Sequence, residues 1–459
     1  MTAIPVIISE QRAFFKTQKT RDINFIKSTL KDLKSEIKQN EDAICNALIA
    51  DFKKPVFETF VNEIGVVAAE IDLAIKNVKK WSKTKRVIPS MLSFPSSDYI
   101  YSEPYGTVLI IAPWNYPFQL TFAPIIAAIA AGNTVVLKPS ELTPNISKVI
   151  EDIINKVFNK SHLAVVQGSI PETTALLAER WDYIFFTGSV PVGKIVAQAA
   201  AKHLTPVTLE LGGKSPCIID ETVNTKLVAK RLVWGKFMNA GQTCIAPDYF
   251  LVEKSVKATL INDIKQAITK AYGENPELSQ DYPRIVNSRN LDRLAKMLEG
   301  VNVVHGGEVN KTDNYLAPTI IDEPGLDSEV MKDEIFGPII PILAYTDEAD
   351  IDRIISNYDK PLAFYVFSNK KSFTKRLMKK YSFGGGTIND TLIHFSNHRL
   401  PFGGVGESGM GAYHGRKGYD TFTHKKGVVK KGNWLDIPLR YAPYKGKLKQ
   451  LKTMLKLFS

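Results

Sequence analysis

Apolar residues in the first 80 positions recur at the spacing of a helix. Ile26, Leu30, Leu33 and Ile37 are separated by four, three and four residues, which predicts a helix with one buried face. The rhythm changes near residue 105. Residues 106–112, Gly-Thr-Val-Leu-Ile-Ile-Ala, form a continuous apolar run that is typical of a strand buried on both sides of a sheet. The chain is therefore predicted to start with helices and to continue with buried strands.

Short apolar runs and helical stretches alternate over the remainder of the chain. A helix is predicted from Pro117 to Gly132, because proline favours the first turn of a helix and glycine its end. The predicted strands are residues 135–137, 163–166, 183–186 and 207–209 and, after Gly213, residues 216–220, 249–252, 339–344 and 363–367. This alternation predicts an α/β fold with two doubly wound parallel sheets.

The composition is that of a globular protein of two or three domains, with 459 residues of which 44% are hydrophobic and 23% charged. The cysteines, Cys45, Cys217 and Cys244, are too few for a disulfide framework, so a reducing, cytoplasmic compartment is expected. The first ten residues lack the features of a signal peptide. No window approaches the ~20 apolar residues of a membrane-spanning helix.

The formal charge of +12 is concentrated at the C-terminus. Residues 425–459 contain ten Lys and Arg and one acidic residue, which leaves +3 for everything before them. Because positive and negative charges nearly balance in the residues before 425, no basic groove for nucleic acid is predicted there. Leu448, Leu451, Leu455 and Phe458 alternate with lysines at helical spacing, which predicts a basic amphipathic helix. Such a helix can make peripheral contact with an anionic membrane; a solvated or dimer-packed tail is the favoured alternative.

Cys244 and Glu210 are the candidate nucleophile and base. Covalent catalysis through a thioester needs both kinds of group, and both residues have glycines beside them that let backbone and cofactor come close. The alternative for any free cysteine is an inert buried side chain. That alternative fits Cys45, in the helical region, and Cys217, in an apolar run. The Gly-Gln-Thr-Cys context favours the catalytic interpretation for Cys244.

Three motifs extend this pattern: Phe-Met-Asn-Ala-Gly-Gln-Thr-Cys-Ile at 237–245, Leu-Glu-Leu-Gly-Gly-Lys at 209–214, and Ser-Phe-Gly-Gly-Gly-Thr-Ile-Asn-Asp at 382–390. They resemble the aldehyde dehydrogenase superfamily, and the third motif and the short N-terminus are most similar to its class 3 branch. The resemblance runs from about residue 10 to about residue 445. It implies NAD(P)-dependent oxidation of an aromatic or medium-chain aldehyde to the carboxylate, through a cysteine thiohemiacetal and a thioester.

The pattern and the resemblance together predict how the chain is divided. Residues 1–84 and 103–209 would form the NAD(P)-binding domain and residues 210–426 the catalytic domain. Residues 85–102 and 427–440 fit neither unit, and the matching segments of the family form a small bridging element that joins protomers. Residues 441–459 are the basic tail. By analogy with the family, a homodimer is expected.

The resemblance also implies catalytic roles. Asn115, after the run at 106–112, would donate its side-chain NH₂ to the developing oxyanion, with the backbone N–H of Cys244 as second donor. The alternative is that Asn115 caps the next helix. Glu210 would activate the water that hydrolyses the acyl-enzyme, since a carboxylate in a partly apolar cleft can have its pKa raised enough for base work.

A cofactor site is expected where predicted strands end. Residues 187–193 form a turn of GSxxxG spacing between a strand and a helix, and a phosphate can approach such a helix N-terminus. A plain strand–helix turn is the alternative. The resemblance assigns this site as follows: Thr187, Gly188, Ser189, Gly193 and Trp114 toward the pyrophosphate, Lys138 and Glu141 toward the adenosine ribose, Glu334 and Phe336 toward the nicotinamide. An acidic Glu141 favours NAD, with NADP also accepted.

The types of side chain near the candidate nucleophile suggest which residues contact the substrate, and the histidines and cysteines indicate whether a metal site is expected. Trp234 and Met238 would share a helix face four residues apart. With Tyr116, Leu392 and Phe395 they would line an apolar tunnel; ordinary core packing is the alternative. No metal site is expected, because the seven histidines lack an HExxH motif and there is no cysteine pair.

Two other functions compete with this interpretation. A CoA-acylating dehydrogenase would pass the acyl group to a thiol, whereas Glu210 favours water as the acceptor. A catalytically silent dimeric protein on the same fold would have no need for Cys244, Glu210, Asn115, Lys138 and Glu334 together. Activity with NAD and aldehydes, with and without CoA, separates the three.

Overall fold

The computed structural model describes residues 3–90 and 93–456. Its α-helices are α1 Ile4–Lys16, α2 Ile23–Gln39, α3 Glu41–Phe52, α4 Val56–Thr59, α5 Gly65–Trp81, α6 Gln119–Ala131, α7 Pro144–Val157, α8 Ile170–Ala178, α9 Val190–Ala201, α10 Thr225–Phe237, α11 Lys254–Tyr272, α12 Ser288–Lys296, α13 Glu329–Lys332, α14 Glu348–Ile355, α15 Lys371–Lys380, α16 Gly415–Thr421 and α17 Lys447–Lys456. A π-helical stretch, Phe60–Ile64, joins α4 to α5.

The strands are β1 Lys85–Val87, β2 Ser96–Pro104, β3 Thr107–Ile111, β4 Thr134–Lys138, β5 Leu163–Val165, β6 Tyr183–Thr187, β7 Val207–Glu210, β8 Pro216–Ile219, β9 Tyr249–Glu253, β10 Val303–His305, β11 Val309–Asn310, β12 Tyr315–Leu316, β13 Thr319–Asp322, β14 Ile339–Tyr345, β15 Ala363–Phe367, β16 Gly385–Ile388, β17 Gly409–Met410 and β18 Thr423–Lys431. All nine predicted strands, including the run at 106–112, are present, and the predicted helical N-terminus is confirmed.

The first large sheet has the order β17-β7-β6-β3-β4-β5. Its strands β3 to β7 are parallel, and only the short β17 is antiparallel, pairing Gly409 with Glu210. Buried residues fill β3, β4 and β6 throughout, as expected for strands covered by helices on both faces. The carboxyl ends of β3, β4, β6 and β7 therefore meet at one edge.

The second large sheet has the order β10-β13-β14-β9-β8-β15-β16. It is parallel except for the pair of β10 with β13. The prediction of an α/β fold with two doubly wound sheets is confirmed. Strands β10, β13 and β16 were outside the predicted set. In β16 two of the four residues are glycines, which carry no apolar signal.

A third, smaller sheet joins β1, β2 and β18 in antiparallel order. It contains the segments that fitted neither α/β unit. Strand β18 begins at Thr423, before the predicted start of that element at residue 427, and residues 438–440 form a short 3₁₀ helix instead of continuing the strand.

The N-terminal helices pack on the first sheet. Ile26, Leu30, Leu33 and Ile37 are all buried on α2, so the predicted stripe is confirmed. Helix α6 is buried almost throughout and ends at Gly132, whose φ of 91° suits glycine. It begins at Gln119, two residues later than predicted.

The basic tail is helical from Lys447 to Lys456. Leu448, Leu451 and Leu455 are exposed on it, while Phe458 lies outside the described residues. Within residues 3–90 and 93–456, no helix has the length and apolar character needed to cross a membrane.

Candidate active site

The loop that carries Cys244 is held in an unusual backbone conformation. After α10 ends at Phe237, Asn239, Ala240 and Gly241 adopt φ values of 54°, 51° and 72°. Glycine is required at 241, because a Cβ there would lie 2.3 Å from the carbonyl oxygen of Gly337. The loop is thus packed directly against the segment that precedes β14.

Gln242 fixes the other side of this loop. Its Nε2 donates to the carbonyl oxygens of Asn239 and Arg284, both at 3.0 Å, and its Oε1 accepts from Val286 N–H at 3.0 Å. All the polar atoms of this buried amide have partners. Cys244 is therefore presented by a rigid support two residues away.

Cys244 is partly exposed, whereas Cys45 and Cys217 are buried. Burial raises the pKa of the Cys244 thiol, and the nearby carboxyl groups of Glu334 and Glu210 raise it further, while the backbone N–H groups of Cys244 and Ile245 oppose the rise. The thiol is neutral near pH 7 in this state. Of the described cysteines, Cys244 alone is partly exposed.

Glu210 ends β7, and its side chain is 3% exposed. Neither carboxyl oxygen has a hydrogen-bond partner. Burial raises the pKa of Glu210 well above its ordinary value. Its backbone carbonyl accepts from Gly188 N–H at 3.0 Å, so the candidate base is joined through the main chain to the predicted cofactor turn.

Asn115 lies between β3 and α6 and is buried. Its Nδ2 donates to the carbonyl oxygen of Gln242 at 3.1 Å, and its own carbonyl accepts from Asn239 Nδ2 at 2.9 Å. The alternative that Asn115 caps α6 is wrong, because the N–H groups of Phe118 and Gln119 donate to Glu63 instead. The side chain of Asn115 is thus directed to the Cys244 loop.

The predicted cofactor turn connects β6 to α9, as expected. Ser189 is exposed at the N-cap position, and its side chain does not cap the helix. A Cβ on Gly188 would lie 2.5 Å from the Phe186 ring, and one on Gly193 would lie 2.7 Å from Leu211. The N-terminus of α9 is therefore not covered by a capping side chain, and glycines occupy the two positions where neighbouring side chains come closest to the backbone. This arrangement fits a dinucleotide phosphate.

Lys138 lies at the end of β4, on the same edge of the sheet as this turn, with β3 between β4 and β6. Its Nζ is 2.5 Å from Glu141 Oε2, and Lys138 is buried while Glu141 is exposed. The carboxylate that was expected to repel a 2′-phosphate is thus paired with a cation. The two side chains stand at the edge where the carboxyl ends of parallel strands bind dinucleotides.

Glu334 reaches across to the Leu-Gly-Gly-Lys segment after β7. A Cβ on Gly212 would lie 2.2 Å from Glu334 Oε2, so a larger residue there would displace the Glu334 carboxyl group. Burial and the nearby Asp248 raise the pKa of Glu334 to about 8, although the Gly213 N–H and Lys236 oppose this. This contact brings a loop of the second sheet to the edge of the first.

The loop with Glu334 is also tethered on its other side. Lys214 Nζ donates to Asp248 Oδ2 at 2.7 Å and to the carbonyl oxygens of Val330 and Asp333 at 2.8 and 3.0 Å. Phe336 packs edge-on against Trp114 with ring centroids 5.3 Å apart. The predicted cofactor residues of both sheets therefore face one cleft.

The predicted substrate residues surround the Cys244 loop in different ways. The Tyr116 hydroxyl is 2.8 Å from Thr243 Oγ1, and Met238 Sδ accepts from Asn62 Nδ2 at 3.1 Å. Trp234 is 45% exposed, whereas Leu392 is 5% exposed and belongs to the core. Phe395 is partly buried and packs on Phe402 and His414.

One geometric expectation about these residues is wrong. Met238 does not share a helix face with Trp234, because α10 ends at Phe237 and Met238 has extended backbone angles of −52° and 134°. The chain must leave the helix there to enter the left-handed turn at Asn239. Among the described residues, no group of three or more His, Cys, Asp and Glu side chains is arranged to hold a metal ion.

Several residues of this site were not identified from sequence. Thr243, Asn239 and Gln242 hold the Cys244 loop through the hydrogen bonds described above. Tyr365, in β15, donates its hydroxyl to the carbonyl of Ile245 at 2.6 Å. The Gln and Thr of the Gly-Gln-Thr-Cys motif were the available signal, whereas Tyr365 is indistinguishable from a core aromatic in its apolar strand.

The geometry combines a thiol on a rigid loop, an amide donor beside it, an unpartnered buried carboxyl group and an open helix N-terminus. This set can support nucleophilic addition to a carbonyl, stabilisation of the resulting oxyanion and activation of a water molecule.

Comparison with known proteins assigns the class. The model of the aldehyde dehydrogenase family matches residues 3–428. The 4,4′-diaponeurosporen-aldehyde dehydrogenase of Staphylococcus aureus is 49% identical over 97% of this chain and 98% of its own length. The dimeric NADP-preferring aldehyde dehydrogenase of Canis lupus familiaris is 42% identical over 98% and 99%. A solved structure of the substrate-bound state of Staphylococcus aureus AldH has a TM-score of 0.96 at 48% identity, covering 99% of this chain and 100% of its own.

The chain therefore belongs to the aldehyde dehydrogenase family. Relatives named as family 3 members are among the matches, which confirms the predicted likeness to class 3. The protein is an oxidoreductase that oxidises aldehydes with NAD or NADP. The predictions of family, reaction and cofactor are confirmed.

Proposed function

We propose that Cys244 is the nucleophile of this dehydrogenase. Its thiol gives its proton to Glu210, which passes it to solvent before hydrolysis, and its sulfur adds to the aldehyde carbon. The Asn115 amide and the Cys244 backbone N–H hold the oxyanion that forms. Glu334 and Phe336 would hold the nicotinamide, which would supply the hydride acceptor; loss of hydride from this carbon leaves the carbonyl of a thioester on Cys244. Glu210 then takes a proton from water, which attacks the thioester and releases the carboxylate and the thiol. The partly exposed Cys244 beside the amide of Asn115 carries this proposal.

The cofactor is proposed to lie across the edge where β4, β6 and β7 end. Lys138 and Glu141 would bind the adenosine ribose, and Ser189 and Trp114 the pyrophosphate on the turn with Thr187, Gly188 and Gly193. Glu334 and Phe336 would hold the nicotinamide end. The ion pair of Lys138 with Glu141 supports acceptance of both cofactors, because the cation offsets the repulsion of a 2′-phosphate.

The division of the chain is proposed to follow the sheets. The first large sheet would belong to the cofactor domain, the second to the catalytic domain, and the small third sheet to a bridging element. A homodimer is proposed from the name of the Canis relative. A cytoplasmic location is proposed from the sparse, unpaired cysteines.

The substrate is proposed to be an aromatic or medium-chain aldehyde, with Tyr116, Trp234, Met238 and Leu392 at its apolar part. The test is steady-state NADH or NADPH production with a panel of aliphatic and aromatic aldehydes, with and without CoA. The panel includes 4,4′-diaponeurosporen-aldehyde, because one relative is named for it. Turnover to the free acid without CoA supports the proposal, and turnover that requires CoA would replace water by a thiol as acceptor.

The basic tail is proposed to make a peripheral contact with anionic membranes. On α17 the side chains of Leu448, Leu451 and Leu455 are 62%, 37% and 44% exposed, beside lysines that suit anionic headgroups. This ten-residue helix is too short to span a bilayer. Any such contact would be screened by salt.

A further inference from the structure

A fully buried ion pair lies behind the candidate oxyanion site. Lys54 Nζ and Glu63 Oε1 are 2.5 Å apart, and both side chains are 0% exposed. Removing two charges from water is costly, and a buried pair often adds no net stability over apolar residues of similar size. A role beyond stability is therefore worth seeking in what the pair contacts.

The second carboxyl oxygen of Glu63 holds the start of α6. Glu63 Oε2 accepts from the N–H groups of Phe118 and Gln119 at 3.0 and 2.9 Å. Helix α6 has no side-chain cap of its own, so its first N–H groups are satisfied by a residue from the N-terminal helices. A carboxylate also suits the positive end of the helix dipole. Asn115 lies on the turn directly before this anchor.

The same N-terminal segment also contacts the nucleophile loop. Lys54 Nζ lies 4.0 Å from the ring centre of Tyr116, whose hydroxyl is bonded to Thr243 beside the nucleophile. Glu58 Oε2 accepts from Asn239 N–H at 3.0 Å, and Asn239 in turn donates to the Asn115 carbonyl. Residues 54–63 therefore contact both the segment that carries Asn115 and Tyr116 and the loop that carries Cys244. The ion pair of Lys54 with Glu63 belongs to this set of contacts.

We propose that Lys54 and Glu63 are positioning residues for Asn115, and that their pairing fixes the amide relative to Cys244. The inference rests on the proposed role of Asn115 as oxyanion donor. Removing one such donor costs about 10²–10³ in kcat, and displacing it by about 1 Å can cost ~10²-fold. Disturbing the pair should consequently lower kcat and leave cofactor affinity unchanged.

The test uses the doubly neutral variant Lys54→Met/Glu63→Gln of the full chain. Both charges are removed together, so neither is left buried without a partner. We expect kcat to fall at least ~10-fold, with KM for the aldehyde and the Kd for NAD within about twofold of wild type. The matched control is Lys34→Met/Asp72→Asn, which removes an exposed pair at 2.6 Å between α2 and α5 of the same N-terminal helical region and should leave all three values unchanged.

A double-mutant cycle separates positioning from general stability. In an Asn115→Ala background the pair has no amide left to position, so neutralising it should cost less than about twofold in kcat. The same fold loss with and without Asn115 would overturn the proposal, as would a folded double variant with wild-type kcat. Lys54→Gln is a second variant that keeps a neutral donor but leaves the Glu63 charge without its cation. It should lower kcat at least as much as the double variant, and wild-type kcat in that folded protein would also speak against positioning. Inactivity of the wild-type protein toward every aldehyde would instead refute the proposed function.

Discussion

Replacing Glu210 by glutamine tests the proposed base directly. The substitution keeps the size and shape of a side chain that is 3% exposed and removes only its ability to take a proton. Because neither carboxyl oxygen has a hydrogen-bond partner, no internal contact of the side chain is lost. Any change in rate can therefore be attributed to the missing base.

The expected magnitude follows from general-base catalysis, which contributes about 10²–10⁴-fold. We expect acyl-enzyme hydrolysis in Glu210→Gln to slow by ~10²-fold or more. Burial raises the pKa of Glu210 well above its ordinary value, so the fraction of ionised, active base in the wild-type protein grows as pH rises. Wild-type turnover limited by hydrolysis should increase with pH through that pKa, and the variant should lose this dependence.

Rapid mixing with saturating NAD and aldehyde measures both steps. If hydride transfer survives, NADH should appear as a burst of about one equivalent per active site, followed by slow turnover. The wild-type protein serves as control over the same pH range. Unchanged steady-state turnover in the variant, with no burst, would refute the assignment and place the base elsewhere.

Thermal unfolding gives an independent check. The folded protein holds the Glu210 proton more tightly than the unfolded chain, so ionisation of this group destabilises the fold as pH rises above the unfolded pKa of about 4.3. A tenfold difference in proton affinity between the folded and unfolded chains corresponds to about 1.4 kcal/mol of stability. The Tm of Glu210→Gln relative to wild type should therefore increase from acidic toward alkaline pH, and a constant difference would contradict the raised pKa.

Three further predictions concern the nucleophile, the cofactor and the tail. Cys244→Ala should abolish dehydrogenase activity with nearly unchanged NAD binding, whereas Cys45→Ala and Cys217→Ala should stay active; alkylation of Cys244 by iodoacetamide without cofactor should accelerate with pH, because its thiol pKa is raised. Glu141→Gln should increase kcat/KM for NADP relative to NAD, since it removes a negative charge near the 2′ position. A chain ending at Tyr444 should sediment less with anionic liposomes than the full chain at low salt, and neither should sediment at 1 M salt, where the Debye length is ~3 Å.

Each of these has a clear contrary result. Substantial turnover by Cys244→Ala would end its assignment as nucleophile. An unchanged ratio of NADP to NAD efficiency in Glu141→Gln would show that this carboxylate does not face the 2′ position. Equal sedimentation of both chains with anionic vesicles would exclude the tail as the anchor, and neutral vesicles control for apolar adsorption.

Sequence was sufficient where one local signal dominated. The run at 107–111 is apolar at nearly every position, so its burial on both faces could be predicted without knowing its neighbours. The turn at Gly188 was identifiable because a strand precedes it and a helix follows. Cys244 was separable from Cys45 and Cys217 by the residues beside it.

Sequence was insufficient where distant segments determine the geometry. The left-handed angles of Asn239 and Ala240 depend on contacts with Glu58 and Gln242, and nothing in a local pattern distinguishes them from a continuing helix. Met238 was assigned to a helix face for this reason. The contact of Glu334 with Gly212 joins segments of two different sheets. The periodic pattern of apolar residues along the chain does not predict a contact between such distant segments.

The electrostatics around Cys244 bear on how Glu210 can act as a base. Burial raises the pKa of Glu210 and of Glu334, and both carboxyl groups raise the pKa of the Cys244 thiol. A raised pKa favours the neutral form of each group, which reduces the repulsion that three neighbouring anions would suffer. A carboxylate with a raised pKa is also a stronger base once ionised. The burial that raises the pKa of Glu210 therefore also makes its carboxylate a stronger base toward the hydrolytic water.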